Sequence, residues 1–475
     1  MHASFSKWSR QYGMIFSLKF GPGDAIVLCD RKAVHDLLDK KGNVYSDRPE
    51  PHVAELLGVK HNVFTTSMNN MWKEKRKVIA HNLSPAQLDN KHFRVQEAEA
   101  TVLMNDFFIK PESYREHIRR YTASIIHVLI HGYRATSSED FWGHAVYEIM
   151  ERRSTCLEPG AIPPVDQFPF LKYIPEKLAR WKGQARDSKE WTEKIWGEAR
   201  DRVEKRRARG DKRDCLADVL LDDYDRNGFP MSQTEFNLLL GEMIEGGADT
   251  SSSAIATLLL ALAKYPDIQK KAQGEVDKVC ESERSPVWSD FEKLPYINAL
   301  VKEGLRWRPV APTGLPHRVR QDDTYNGMLI PKDTNIFIGV WQIHHDESIW
   351  KDPATFKPER YLGYDKLASY YAGSSDWAEY PHHYAYGAGR RICPGMHLAE
   401  RNIWRTTAKL LWAFNFSEPT DGSGAVKSLD TEAYVEGLVR EPLPFELKIE
   451  PRSKEHMATI QKELLDTEKF LRAFE

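Results

Sequence analysis

The chain has 475 residues, which is enough for one large domain or for two or three ordinary ones. Its 67 lysines and arginines against 69 acidic residues give a net charge of -2, which excludes a bulk basic surface, so we expect no nucleic-acid partner. Its 5 cysteines are an odd number with no CxxC pair, which excludes a disulfide scaffold or a zinc ribbon and favours a reducing compartment.

The first sixty residues predict a short helix followed by a β-hairpin. The helix is expected from Phe5 to Tyr12, and the two strands at Ile15–Phe20 and Ala25–Cys29. A Gly-Pro-Gly-Asp turn separates the strands, which is typical of a hairpin.

Residues 70–302 read mostly as helices with a period of 3.6 residues. The longest pattern runs from Ser232 to Tyr265, opening with a capping box at Ser232 and Glu235 and ending before Pro266. A charged run at 205–213 predicts a solvated helix end, with a membrane-surface or partner patch as the alternative.

Strand patterns return between residues 318 and 340 and again at Pro444–Ile449. Because no βαβ alternation and no internal repeat is present, we expect a mainly α fold with small β-sheets. The predicted organisation is one large domain over residues 1–452, followed by an amphipathic C-terminal helical extension over residues 453–475.

A cysteine stands in a glycine-rich loop just before a predicted helix that begins at Met396. The loop keeps an aromatic-x-x-Gly-x-Arg-x-Cys-x-Gly spacing in Tyr386, Gly389, Arg391, Cys393 and Gly395. Glycines let the backbone approach another group closely, and a helix N-terminus with Arg390 or Arg391 nearby favours a thiolate. Such a thiolate can be a nucleophile, a redox sensor or a metal ligand, and the alternative is a buried, inert thiol.

The spacing resembles the haem-binding signature of the cytochrome P-450 superfamily. That resemblance implies the P-450 fold, with haem b between the long central helix and the cysteine loop, and Cys393 as the axial thiolate ligand of iron. It also implies that Arg391 pairs with a haem propionate and that Gly389 and Gly395 leave room for the porphyrin. Tyr386 departs from the family's Phe, keeping the aromatic ring and adding a hydroxyl.

A second stretch, Gly246–Ser251 (GGADTS), lies in the long central helix. Each glycine mid-helix costs up to about 1 kcal/mol relative to alanine, which indicates a deliberate distortion. The resemblance implies that this stretch opens a groove for dioxygen and that Asp249 and Thr250 are the acid-alcohol pair that relays protons to it. The alternative is a small-residue helix contact with Thr250 bonded back to its own helix.

Three further groups of residues support the resemblance. Glu303 and Arg306 share one face of a predicted helix from Pro295 to Trp307, and we expect Arg360 to join them in a structural lock. Other residues are implied contacts of the haem propionates, namely Trp72, Arg76 and, more weakly, His317. Nearby lysines give either a docking face for a reductase or a solvated helix face, and these are Lys73, Lys75 and Lys77.

The chain is similar to fungal microsomal members acting in secondary metabolism, and this resemblance implies a haem-thiolate monooxygenase. A separate NADPH-dependent cytochrome P-450 reductase would supply the electrons, and the substrate is expected to be a small apolar or aromatic molecule, such as a phenolic or a polyketide. The predicted substrate pocket, which could also be ordinary core, comprises Met243, Ile244, Gly247, Val310, Leu315 and Leu438.

Two alternative functions remain at this point. One is a haem-thiolate isomerase or dehydratase that needs no dioxygen, and the other is a non-catalytic haem-binding protein. The Asp249 and Thr250 pair favours the monooxygenase, because isomerase chemistry needs no proton relay. By resemblance we expect a place on the cytosolic face of the endoplasmic reticulum membrane. Since no transmembrane anchor is present, we expect either a truncated sequence or a protein that is soluble or contacts membrane by other surfaces.

Overall fold

The computed structural model describes residues 1–157, 160–372 and 384–475 of the chain. The α-helices are α1 (His2–Tyr12), α2 (Arg31–Val34), α3 (His52–Leu56), α4 (Asn70–Asn82), α5 (Pro85–Gln87), α6 (Phe93–Ile109), α7 (Tyr114–His131), α8 (Phe141–Leu157), α9 (Arg180–Ala208), α10 (Leu216–Asn227), α11 (Gln233–Lys264), α12 (Pro266–Cys280), α13 (Pro295–Trp307), α14 (Val340–His344), α15 (Ala368–Tyr371), α16 (Met396–Ala413) and α17 (Lys454–Leu471). The strands are β1 (Ile15–Phe20), β2 (Gly23–Leu28), β3 (His317–Arg318), β4 (Asp323–Tyr325), β5 (Met328–Ile330), β6 (Asn335–Ile338), β7 (Phe414–Ser417) and β8 (Lys448–Pro451).

Helix α11 forms the centre of the molecule. Ser232 caps it, accepting a hydrogen bond from the Glu235 amide at 3.2 Å while the Glu235 carboxylate accepts from the Ser232 amide at 3.1 Å. The helix ends before Pro266, which begins α12. Residues on every side of α11 are buried, as expected for a helix that passes through a large core.

The β-structure consists of small sheets beside this helical core. A four-stranded sheet has the order β1-β2-β6-β3, in which β1 and β2 form the predicted antiparallel hairpin and β2 pairs parallel with β6. The pairs β4-β5 and β7-β8 form two further antiparallel sheets. The prediction of a mainly α fold with small sheets is therefore confirmed.

The last predicted strand is displaced along the chain. The sequence pattern placed it at Pro444–Ile449, whereas β8 spans Lys448–Pro451 and pairs with β7. Proline has no N–H for a ladder hydrogen bond, so Pro442 and Pro444 favour the irregular segment that precedes β8.

The tail forms α17, which packs against α6 through buried residues such as Met457 and Ile460. Its Glu463 carboxylate accepts hydrogen bonds from the amide and hydroxyl of Ser285, at 2.8 and 2.6 Å. The domain boundary at residue 452 stays a prediction. In the described part of the chain, no helix is both long enough and apolar enough to cross a bilayer.

The charged run at 205–213 is only partly solvated. Arg206 is buried, and its guanidinium donates to the Asp218 carboxylate at 3.1 Å, while Arg207 pairs with Asp222 at 2.6 Å. The prediction of a solvated helix end was therefore wrong for these two arginines, because α10 brings their acidic partners to the end of α9.

Candidate functional site

Two main-chain amides of the cysteine loop donate hydrogen bonds, one within the loop and one to a side chain outside it. The Cys393 amide donates to the Tyr386 carbonyl at 2.8 Å, and the Gly389 amide donates to the Asp39 carboxylate at 2.6 Å. Gly389 has a φ of +60°, and a Cβ there would lie 2.1 Å from the Leu38 carbonyl oxygen. Glycine is thus required at 389 by this close backbone contact, whereas the sequence had suggested room for a porphyrin.

Cys393 lies just before the N-terminus of α16 and is partly accessible. Burial raises the pKa of its thiol, and this outweighs the amides of Gly395 and Met396 and the Arg76 guanidinium, which lower it. The amides at the start of α16 lower the pKa of the thiol, as the sequence predicted, but the nearby cation is Arg76 in place of Arg390 or Arg391, and desolvation is the largest effect. Arg390 is exposed, and Gly395 has an ordinary negative φ.

Tyr386 places a buried phenol beside this loop. Burial, together with the negative charges of Glu400 and Cys393, raises the pKa of the phenol well above its ordinary value. The hydroxyl that distinguishes this loop from the family's Phe therefore stays protonated at neutral pH.

The Arg391 side chain contacts the segment between β2 and α4. Its guanidinium donates to the carbonyls of Ser46 at 2.7 Å, Val63 at 3.1 Å and Thr66 at 2.6 Å, and it lies 4.3 Å from the centre of the Trp72 ring. Trp72 also donates its indole N–H to the Val63 carbonyl, at 3.2 Å. The structure therefore brings Arg391 and Trp72 together as a stacked pair.

Arg48 is a member of the same group that sequence reasoning missed. Its Nη1 donates to the carbonyls of Leu315 and Pro316, at 2.8 and 2.7 Å, and its buried Nε has no hydrogen-bond partner within the described chain. Burial and then the charges of Arg391 and Arg76 lower its pKa to about 9. The position of Arg48 beside Pro49 gave no signal of this, because its partners lie about 267 residues away in sequence.

His317 completes this group on strand β3. Its Nδ1 donates to the Tyr45 carbonyl at 2.7 Å. Burial and the neighbouring charges of Arg48 and Arg391 lower its pKa well below the ordinary value, so the ring is neutral here. The prediction that His317 contacts a haem propionate stays a prediction.

These residues provide a test of whether haem b fits. Among the described residues, none of Arg48, Arg76 and Arg391 has a carboxylate partner in an ion pair, although all three are largely buried. Arg76 instead donates to the Ile392 carbonyl, next to Cys393. Buried charges normally require partners, so this group lacks an anion, and a flat cofactor with two carboxylates and an iron that takes a thiolate ligand fits the residues present.

The two glycines of α11 lie at close contacts with neighbouring segments, and the helix is unbroken at this point. A Cβ at Gly246 would lie 3.1 Å from the Phe64 ring, and one at Gly247 would lie 3.1 Å from Ile126 of α7. Thr250 donates its hydroxyl to the Gly246 carbonyl at 2.8 Å, which is the back-bonded arrangement considered above as the alternative. The predicted distortion of the helix is absent from this part of the described chain.

Asp249 lies next to Thr250 and near a cluster of charges. Burial raises the pKa of its carboxyl to about 6, with Glu441 raising it further and Arg119 lowering it. Glu441 accepts hydrogen bonds from Arg115 at 2.6 Å and Arg119 at 3.1 Å, and the Arg119 guanidinium also lies over the Tyr147 ring. Sequence reasoning missed this cluster, because Arg119 and Glu441 lie 322 residues apart in the sequence.

The predicted lock is present as a contact. Glu303 and Arg306 are both fully buried and form two hydrogen bonds of 2.7 Å, and Arg360 donates to Glu303 at 3.3 Å. Glu303 also accepts from the Lys357 amide at 2.8 Å, and Arg306 donates to the His344 carbonyl at 2.8 Å. These bonds tie α13 to the segments that precede the cysteine loop.

The residues predicted to line a substrate pocket do not all lie on one wall. Gly247 faces Ile126 of α7, so this residue lies at a helix contact. Met243 and Ile244 are buried in the core, and Leu438 is 46% exposed. The Arg440 amide donates to the Val310 carbonyl at 2.8 Å, which brings the turn after Leu438 beside Val310. Leu315 and Val310 are partly buried.

The lysines of α4 do not form one surface. Lys75 is buried and donates to the His61 carbonyl at 2.8 Å, so it takes no part in a docking face. Lys73 and Lys77 are exposed.

Comparison with known proteins identifies the class that this fold and site define. The family model for cytochrome P450, written here as P-450, matches residues 1–449. The cytochrome P-450 monooxygenase patI of Aspergillus clavatus is 42% identical over 463 residues, covering 97% of this chain and 87% of that protein. The monooxygenase atE of Aspergillus terreus is 41% identical, covering 98% of this chain and 86% of that protein. A solved zebrafish cytochrome P-450 with abiraterone has a TM-score of 0.74 and 22% identity, covering 95% of this chain and 100% of that chain, and shows the same fold.

The fold and the cysteine loop thus define a haem-thiolate protein. The chain belongs to the cytochrome P-450 family and is a monooxygenase, an oxidoreductase that uses haem with a cysteine thiolate ligand, a redox partner and a small-molecule substrate.

Proposed function

We propose that this monooxygenase hydroxylates a small apolar or aromatic molecule in fungal secondary-metabolite biosynthesis. The fungal relatives at about 40% identity support a monooxygenase of this kind, and a phenolic compound or a polyketide is the substrate class that the sequence resemblance favours. Electrons come from an NADPH-dependent cytochrome P-450 reductase. The haem domain spans residues 1–452, and the protein acts at the cytosolic face of the endoplasmic reticulum.

In this proposal, haem b is held by Cys393 on iron and by a cationic group at its carboxylates. The cationic group comprises the guanidinium groups of Arg48, Arg76 and Arg391, and the uncharged rings of Trp72 and His317 lie beside it. When bound, the haem supplies the activation of dioxygen. The protein contributes by neutralising the carboxylates and by supplying amides that stabilise a thiolate at Cys393. The guanidinium of Arg391 donates to main-chain carbonyls, and with haem bound its N–H groups would be shared between these carbonyls and a propionate.

The single observation that carries oxygenation is the pair formed by Asp249 and Thr250 on α11. A carboxyl with a pKa of about 6 exists in both protonation states near neutral pH, so it can release a proton and be protonated again. The Thr250 hydroxyl can accept a hydrogen bond on its oxygen while it donates to another acceptor, which lets it pass that proton onward. Glu441 and Arg119 set the charge around Asp249.

The proposal is tested by turnover with a fungal reductase and NADPH under isotopically labelled dioxygen, using a panel of aromatic and polyketide-like compounds selected by binding spectra. We expect a product that carries one labelled oxygen atom, formed only when NADPH and dioxygen are both present. A product formed without dioxygen would instead favour the isomerase or dehydratase.

A further inference from the structure

Helix α11 carries a carboxyl group that the proposed function has not used. Glu242 is 1% exposed and lies on α11 one turn before a second buried acid, Glu245. Its Oε2 accepts a hydrogen bond from the Val63 amide at 2.6 Å. Its Oε1 is buried and has no hydrogen-bond partner in the part of the chain that the structure describes. One oxygen of this carboxyl group therefore has a hydrogen-bond partner, and the other has none among the described residues.

No cation pairs directly with this group among the described residues. The Lys75 ammonium donates to the His61 carbonyl, and Glu245 accepts hydrogen bonds from Arg153 and from the Trp196 indole. Burial raises the pKa of Glu242 to about 8. The charge of Glu245 also raises this pKa, whereas the charges of Lys75 and Arg153 lower it. The carboxyl is protonated at neutral pH, and because Oε2 already accepts an N–H, the proton is best carried by Oε1.

The position of Glu242 connects it with the distal side of the site. Glu242, Gly246 and Thr250 follow one another at four-residue intervals, so they share one face of α11, and Glu242 lies about 12 Å from Thr250 along the axis. The loop that contains Val63 and Phe64 covers this face, because the Phe64 ring contacts Gly246 and the Val63 amide bonds Glu242. An O–H donor without an acceptor therefore lies between α11 and this loop.

We propose that Glu242 is a specificity-determining residue, which donates a hydrogen bond from its carboxyl group to an oxygen of a small aromatic substrate. This inference rests on the proposed function, since it takes the face of α11 that bears Thr250 as the side where substrate binds. A buried polar group that lacks its partner discriminates strongly for a ligand that supplies the partner. The substrate class thus narrows to aromatic molecules that carry a hydroxyl or carbonyl oxygen.

A purely structural role is the competing explanation, in which Glu242 only fixes the Val63 loop. Two variants separate the explanations. Glu242→Gln keeps both an acceptor for the Val63 amide and an N–H donor, whereas Glu242→Leu has a similar volume and keeps neither. A structural role predicts that Glu242→Leu weakens binding of every ligand equally, while a recognition role predicts a loss restricted to oxygen-bearing ligands.

The experiment compares ligands that differ only in a hydroxyl group, namely 2-naphthol with 2-methylnaphthalene and phenol with toluene. Dissociation constants are measured by equilibrium dialysis and by binding difference spectra of the haem-loaded protein. We expect the unmodified protein and Glu242→Gln to prefer the hydroxylated member of at least one pair, and Glu242→Leu to lose about tenfold in affinity for that member alone.

An unmodified protein with no preference for the hydroxylated member of either pair would overturn the inference. So would a Glu242→Leu variant that keeps the preference, or one that loses affinity for both members equally. The spectrum of the reduced, carbon monoxide-bound protein is recorded for each variant. If the unmodified protein lacks the red-shifted band of thiolate ligation, the proposed function itself fails, whereas an intact band with an unchanged preference contradicts only the role of Glu242.

Discussion

At the scale of single residues, the proposed function assigns the proton chemistry to buried carboxyl groups. For Asp249, burial and the nearby Glu441 raise the pKa to about 6, so the protonated fraction falls as pH rises through that value. Proton delivery to dioxygen, and with it the yield of product per NADPH, is therefore expected to decline on the alkaline side of about pH 6.

Replacing Glu441 by Gln tests this account of Asp249. The change removes a negative charge and leaves Arg115 and Arg119 without their acidic partner, so both effects lower the pKa of Asp249. We expect the decline in product per NADPH to move to lower pH. Thr250→Ala is the comparison, since it lacks the hydroxyl and should release more peroxide at every pH tested. An unchanged pH profile in Glu441→Gln would contradict the coupling.

The residues that sequence reasoning found and missed differ in how their partners lie along the chain. Cys393 and Arg391 belong to one short sequence motif, whose residue types and spacing can be recognised without the structure. Arg48 and Glu242 acquire their roles from contacts with residues about 267 and 179 positions away. For Glu242 a signal did exist, because an acid among the apolar residues of a long helix, with only Glu245 close by, is expected to be either paired or functional.

At the scale of elements, the lock between α13 and the segment before the cysteine loop is open to a direct test. Glu303→Ala leaves the buried Arg306 without its carboxylate, and breaking such a pair typically costs about 3–5 kcal/mol. We expect Glu303→Ala to lose most of its haem incorporation, measured as the ratio of haem to protein after purification.

The control for the lock is an exposed ion pair of similar spacing. Glu198 on α9 pairs with Arg202 at 2.7 Å, and both side chains are more than 40% exposed. Glu198→Ala should change stability by less than about 1 kcal/mol and leave haem incorporation unaffected. Normal haem incorporation in Glu303→Ala would show that the lock is dispensable.

Helices and strands could be predicted where the residues that define their ends lie close together in the sequence. The ends of α11 and α13 follow from a capping box and from prolines, and the β1-β2 hairpin follows from its glycine-rich turn. The shape of α11 at Gly246 and Gly247 was not predictable, because helix propensity reports the cost of glycine but not the neighbours that require it. Phe64 and Ile126 supply that reason, and both are distant in sequence.

At the scale of the whole molecule, the fold could be predicted because one long buried helix and its short sheets leave a recognisable pattern. The electrostatic organisation could not, since it depends on buried arginines that three separate segments bring together at Arg48, Arg76 and Arg391. Burial lowers the pKa of all three guanidinium groups, and repulsion from neighbouring arginines lowers the pKa of Arg48 and of Arg391 further. A cofactor that carries carboxylates would relieve that repulsion.

The central claim is that Cys393 is the axial ligand of haem iron, and the spectrum of the reduced protein with carbon monoxide tests it most directly. We predict the red-shifted Soret band of thiolate ligation in the unmodified protein and in a Cys280→Ala control, which removes a different buried thiol. In Cys393→Ala the band should be absent, even if haem still binds through the cationic group. Persistence of the red-shifted band in Cys393→Ala would contradict the account.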